Sequence, residues 1–237
     1  MVALSDILLA AVAFGPMVLL LYYTLSDYTH PKVEKPFFDD RKVFAFMTFG
    51  IVLGTIFFFI DAMTGSNDLS MLLLMSAVVP ILQGLIKLAI LNWPKFQRKV
   101  DTAFYGLAFG LGISATYAFS KMFLALSDQT ADIASIALVL MLGVQIILIF
   151  GSTTAMIGVG CARGHPWIYF AYSMIFSFAY SYLLYGLGLA AENGLAIAGV
   201  VLMMWAVCIY SYSHVYRIDL PNLIDDAKRG LRYPTKK

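Results

Sequence analysis

Charge is what this sequence has least of. Asp, Glu, Lys and Arg make up 13% of its 237 residues, about half the share found in soluble domains. That is too little to cover a water-facing surface, so a water-soluble fold is excluded. Cysteine is nearly missing: Cys161 and Cys208 are too few for a disulfide framework or a zinc-finger pattern. Proline, at 8 residues, is sparse and hydrophobicity is high, which excludes a disordered chain. The net charge of +2 gives no basic surface, and no nucleic-acid partner is expected.

What the chain has is apolar length, with 61% hydrophobic residues, 18 Phe and 18 Gly. A helix needs roughly 20 mainly apolar residues to cross the hydrocarbon core. Seven stretches qualify, at 4–25, 43–63, 70–92, 103–126, 133–159, 167–189 and 195–214. In lipid every backbone polar group must be paired internally, and these runs are far too long for barrel strands. The expected fold is all-α, a multi-pass seven-helix transmembrane domain over 1–214 followed by a tail over 215–237. The first span does not read as a cleavable signal, because Asp6 precedes it, no Lys or Arg does, and it stays apolar through Leu25.

The sparse charges are placed unevenly. Lys32, Lys35, Arg41 and Lys42 fall in the first connector, Lys95, Arg98 and Lys99 in the third, Arg163 in the fifth and six more basic residues in the tail. The alternate connectors and the N-terminal stub hold none, but carry Asp6, Asp68, Asp128, Asp132 and Glu192. Positive residues stay on the cytoplasmic side, so the N-terminus is expected outside and the C-terminus in the cytoplasm, in the cell membrane. In the tail, Pro221 can open a helix with Leu223, Ile224, Ala227 and Leu231 on one side and Lys228, Arg229 and Arg232 elsewhere. That pattern predicts an interfacial helix lying on headgroups.

Inside the spans the ionisable residues are Asp61, Lys87 and Lys121. Such groups are rare in lipid and mark function or pairing. Asp61 and Lys121 lie near the outer face and form a candidate ion pair, while Lys87, near the inner end of span three, can snorkel. No carboxylate sits at mid-depth, which argues against proton or ion transport. The last span has no Lys for a retinal Schiff base. His30, His165 and His214 all fall in or beside connectors, so no metal site and no cofactor is expected in the core. The neutral polar set of Gln83, Ser114, Thr116, Gln145, Ser152 and Ser177 reads first as hydrogen bonding between helices. Small residues at four-residue spacing, Gly50 and Gly54, then Gly106, Gly110 and Ser114, then Ser173, Ser177 and Ser181, allow close helix packing within the bundle or against another membrane subunit.

Two runs bear a family likeness. Pro80-Ile-Leu-Gln83-Gly84-Leu-Ile-Lys87 resembles the Glu-Glu-x-x-Lys motif of PrsW-type and CAAX-type intramembrane proteases, and Asp101 through Gly106 and Gly110 to Gly112 resembles the glycine-rich helix that follows it there. Val12-Ala13-Phe14-Gly15-Pro16, Leu82-Gln83 with Lys87, and the series Gly106, Gly110, Ser114 are similar to the anterior-pharynx-defective family, the seven-span scaffold subunit of γ-secretase in the same superfamily. The resemblance implies a hydrolytic site at Gln83, Gly84, Lys87, Tyr117, Ser152 and Ser177. Here Gln83 and Gly84 stand for the paired glutamates, Tyr117 and Ala118 for a Glu-Asn pair, and Ser152 and Ser177 for the histidines. It therefore implies a pseudo-protease, a non-catalytic scaffold in the lipid bilayer packing with other integral membrane proteins, a presenilin-like protease among them. Gly106, Gly110 and Ser114 are then the contact candidates. Two alternatives are an intramembrane peptidase of altered mechanism, using Gln83 or Ser152, and a lipid-binding, small-molecule-binding or transport bundle. The latter would be lined by Gln83, Gln145, Tyr169, Tyr172, Tyr180, Tyr182 and Tyr185.

Overall fold

The computed structural model describes residues 4–29, 33, 37–63, 69–127, 133–190 and 193–229. All elements are helical: α1 Leu4–Ser26, α2 Asp40–Met63, α3 Leu69–Leu91, α4 Asp101–Ser127, α5 Ile133–Arg163, α6 Pro166–Leu189 and α7 Gly194–His214. A π-helical turn, Val215–Asp219, then leads into α8, Leu220–Lys228. Seven of the helices are long and apolar enough to cross a membrane. Their ends fall within a few residues of the expected spans, with α5 the main exception because it runs on to Arg163. The tight turn after it holds Gly164 at φ +79°, a left-handed conformation suited to glycine, and Pro166 opens α6.

Helix α4 is the hub. It packs along α5 on one side and α2 on the other, with α1 closing a third, and every residue from Thr102 to Ala115 is buried. Glycine makes this possible. A Cβ on Gly110 would stand 2.6 Å from the Phe150 carbonyl of α5, and one on Gly158 of α5 would stand 2.8 Å from the Thr102 carbonyl of α4. On the opposite side a Cβ on Gly50 or Gly54 would run into the α4 backbone at Phe109 and Ile113. Contacts that close let dispersion and polar contacts join helices where lipid offers no hydrophobic drive. The small-residue series is thus spent inside the bundle. Gly106, Gly110 and Ser114, offered above as contacts for a second protein, are buried by the chain's own helices, which corrects that assignment. Side-chain hydrogen bonds add to the helix contacts: Thr116 donates to the Ile51 carbonyl at 2.8 Å, Ser152 meets Ser211 at 2.9 Å and Thr24 meets Tyr212 at 2.7 Å.

The tail also departs from expectation. The apolar side of α8 turns inward, with Leu220, Leu223 and Ile224 buried in the core cluster, so these side chains meet protein instead of headgroups. Hydrogen bonding of Tyr216 to Asp27 and an Arg163–Asp226 ion pair at 3.5 Å hold this end together. In the turn after α1, burial first and then the Asp27 and Asp225 carboxylates push the Tyr28 phenol up to about 12. Arg41, Lys42, Lys95, Arg98, Lys99 and Arg163 stand at the helix ends and connectors on this same side. Lys32, Lys35, Asp68, Asp128, Asp132, Glu192, Leu231, Arg232 and His30 lie outside the described residues.

Gly110→Leu is expected to lower the thermal midpoint of the detergent-solubilised protein sharply, because overpacking costs about 1–3 kcal/mol and here the obstacle is backbone. Gly186→Leu is the control, since nothing lies within 4 Å of a Cβ at Gly186. Equal midpoints for the two variants would contradict the close α4–α5 contact.

Candidate functional site

Away from the tight α4–α5 contact the bundle opens. Helix α3 leans on α6 and α5, and between these helices and the far half of α4 lies a cavity of about 380 Å³. Its size falls at the lower end of the range for small-molecule sites. Apolar side chains form most of the wall, including Met75 and Val79 of α3, Leu142 and Ile146 of α5, and Leu184 of α6. Pro80 also lines it, and its missing N–H leaves one α3 backbone bond unmade.

The polar part of the wall brings together residues far apart in sequence: Gln83 and Lys87 from α3, Tyr117 and Lys121 from α4, Thr153 from α5, and Ser177, Tyr180 and Ser181 from α6. Of the positions the resemblance assigns to a degenerate site, Gln83, Lys87, Tyr117 and Ser177 face this one space. Gly84 and Ser152 do not. Gly84 is a packing position where a Cβ would stand 2.9 Å from the Phe170 ring of α6. Ser152 points to α7 and bonds Ser211. Ser173 is buried and donates to the Phe170 carbonyl at 2.8 Å. Gln145 is also turned away, beside Cys208, whose Sγ lies 3.5 Å from the Gln145 carbonyl. Of the tyrosines considered for a pocket, Tyr180 and Tyr185 line this cavity, Tyr169 and Tyr172 border a separate hollow near His214, and Tyr182 is exposed.

At the end of the cavity away from α8, the Lys121 ammonium pairs with the Asp61 carboxylate. The Tyr117 hydroxyl lies within hydrogen-bonding range of the same carboxylate. Asp61 is the carboxylate of this wall, and it is engaged.

Lys87 is arranged differently. Snorkelling was expected, yet Lys87 is 5% exposed and its Nζ sits 4.1 Å from the centroid of the Phe150 ring. The direction of helical side chains explains the difference. Each Cα–Cβ bond tilts toward the helix N-terminus, so a lysine near the C-terminal end of α3 reaches back into the bundle. Phe150 is itself stacked on Tyr117, with ring centroids 5.1 Å apart. Among the described residues no carboxylate forms an ion pair with Lys87, and the face of Phe150 supplies the electrostatic contact. The Gln83 side-chain nitrogen and the Tyr180 hydroxyl are buried without a hydrogen-bond partner. Phe150 carried no sequence signal, being one of 18 phenylalanines; Tyr180 was visible as a mid-span tyrosine away from the interface belts.

Chemically, an apolar space is bordered here by the Lys87 side chain, the Gln83 and Tyr180 side chains and the Asp61–Lys121 ion pair. Among the described residues no group of three or more His, Cys, Asp or Glu comes together. No protein-family model, curated protein or solved structure matches this chain.

Asp61→Asn and Lys121→Met should each destabilise the protein by about 1–3 kcal/mol, because each strands a charge in a poorly hydrated site. The Lys121 side chain is 35% exposed, which holds the loss below that of a fully buried pair. The double variant should be more stable than the sum of the single losses predicts, read as thermal midpoints in one double-mutant cycle. Strict additivity would mean that the pair contributes nothing.

Proposed function

We propose that this chain is a non-catalytic multi-pass protein of the cell membrane, a pseudo-protease whose cavity serves as a chamber for an amphiphilic guest. The polar wall carries the reading: Gln83, Lys87, Tyr117 and Ser177, positions the resemblance assigns to a hydrolytic centre, line one cavity, and Lys87 there has no carboxylate partner among the described residues. Hydrolysis of a peptide bond requires a group that takes a proton from water. The carboxylate of this wall, Asp61, is tied to Lys121 and approached by Tyr117. A polar corner on an apolar chamber instead suits a molecule with one polar end.

The orientation that goes with this reading has the N-terminus outside and the α8 end in the cytoplasm, supported by the basic residues at that end. A scaffold role toward other membrane subunits, including a presenilin-like protease, would have to use the outward faces of the bundle, since the glycine series on α4 is enclosed.

Two measurements test the proposal. Purified protein incubated with single-span peptides should release no fragments, and native mass spectrometry should find a small amphiphile retained by wild-type protein and lost from Ser177→Trp, which fills the chamber. Fragment release abolished by Gln83→Ala would replace this reading with a peptidase. Absence of any guest, together with stoichiometric co-purification of an integral membrane protein, would replace it with a scaffold.

A further inference from the structure

Three polar groups of this cavity have no protein partner of matching character. Lys87 is almost fully buried and rests on the face of Phe150. The Gln83 side-chain nitrogen and the Tyr180 hydroxyl have no hydrogen-bond partner. A buried donor without a partner forfeits the hydrogen bonds it made to water, and an unpaired ammonium in a low dielectric forfeits more. Native structures leave few such groups, and each calls for an explanation. Other buried polar atoms without a partner, the Gln145 amide among them, lie elsewhere in the bundle, but these three belong to residues lining one space.

Their chemistry is one-sided. A lysine offers three N–H donors and no acceptor, the Gln83 nitrogen offers donors, and the tyrosine hydroxyl can donate as well. The matching guest group is rich in acceptors and carries the negative charge that the protein withholds from Lys87. A carboxylate or a phosphate monoester meets both conditions, and bonds to such ionised groups are roughly twice as strong as neutral ones. From Lys87 the cavity continues toward the Asp61–Lys121 end between apolar side chains such as Val79, Leu142 and Ile146. That wall suits an acyl or other apolar body, and 380 Å³ holds one chain more readily than two.

Resting on the chamber reading above, we propose that the cavity is a binding site for a single-chain anionic amphiphile, with its carboxylate or phosphate head on Lys87 and Gln83. The apolar body runs along α3 and α5, and the face of Phe150 holds the Lys87 ammonium in place for the head. Tyr180 is available as a further donor. Lys121 does not compete for the head, because Asp61 neutralises it.

The experiment uses the full chain in detergent and a fluorescent single-chain fatty acid as probe. Palmitate, a 1-acyl phosphatidate, an alkyl ammonium of the same length, a lysophosphatidylcholine and a monoacylglycerol are compared as competitors. Palmitate, the phosphatidate or both should displace the probe about tenfold to a hundredfold better than the neutral, zwitterionic and cationic competitors; which of the two acids wins identifies the head. Lys87→Gln should weaken the preferred acid by a similar factor and leave monoacylglycerol unchanged, while Lys87→Arg keeps most of the preference. The competitor series on unmodified protein stands even if a variant fails to fold. Equal displacement by acid and monoacylglycerol would overturn the anion assignment while leaving the chamber intact. No saturable binding of any competitor, with Ser177→Trp indistinguishable from wild type, would overturn both.

Discussion

Everything in this bundle is arranged around how closely α4 can approach its neighbours. In lipid, helices gain little by hiding apolar side chains, because the tails outside are as apolar as the core, and association depends on packing distance and polar contacts. Gly106, Gly110 and Gly158 let α4 and α5 touch backbone to backbone, and Gly50, Gly54 and Gly112 do the same between α4 and α2. With both sides of α4 closed in this way, the remaining helices pack around a rigid centre. Helix α3 has no such seam with α4, and the cavity lies where the two stand apart.

That separation gives the polar residues their different fates. Ser114 and Ser152 face tight seams and satisfy themselves on carbonyls of the preceding turn, with Ser152 also bridging to Ser211. Gln83, Lys87 and Tyr180 line the cavity, and the Gln83 nitrogen, the Lys87 ammonium and the Tyr180 hydroxyl find no comparable partner. The serines on one side of α5 thus become packing elements, while Gln83, Lys87 and Tyr180 border the cavity on the other. The two lysines follow the same logic: Lys121 lies within reach of Asp61 and becomes a structural pair, whereas Lys87 meets an aromatic face and has no carboxylate partner among the described residues.

The other end of the molecule is closed by its own tail. The π-helical turn carries the chain out of α7 into α8 without a break, and Leu220, Leu223 and Ile224 seal the core where lipid headgroups would otherwise have met them. Arg163 binds both Asp226 and Tyr169, joining α8 to the α5–α6 turn. The polar chamber and the sealed end are separate features of one bundle.

The number of spans and their limits were legible in the sequence because both depend on local properties, hydrophobic length and the intolerance of lipid for unpaired backbone. The close-packing glycines were legible as a spacing, and so was the pairing of Asp61 with Lys121, two opposite charges near one face. Which helix each glycine meets was not, since a four-residue repeat describes one side of a helix and says nothing of its neighbour. The inward reach of Lys87, the divergence of Ser152 from Gln83 and Ser177, and the platform offered by Phe150 arise from how helices distant in sequence rotate and lean on one another. Those rotations are set by summed contacts across the whole bundle, a quantity that exists only once the chain has folded.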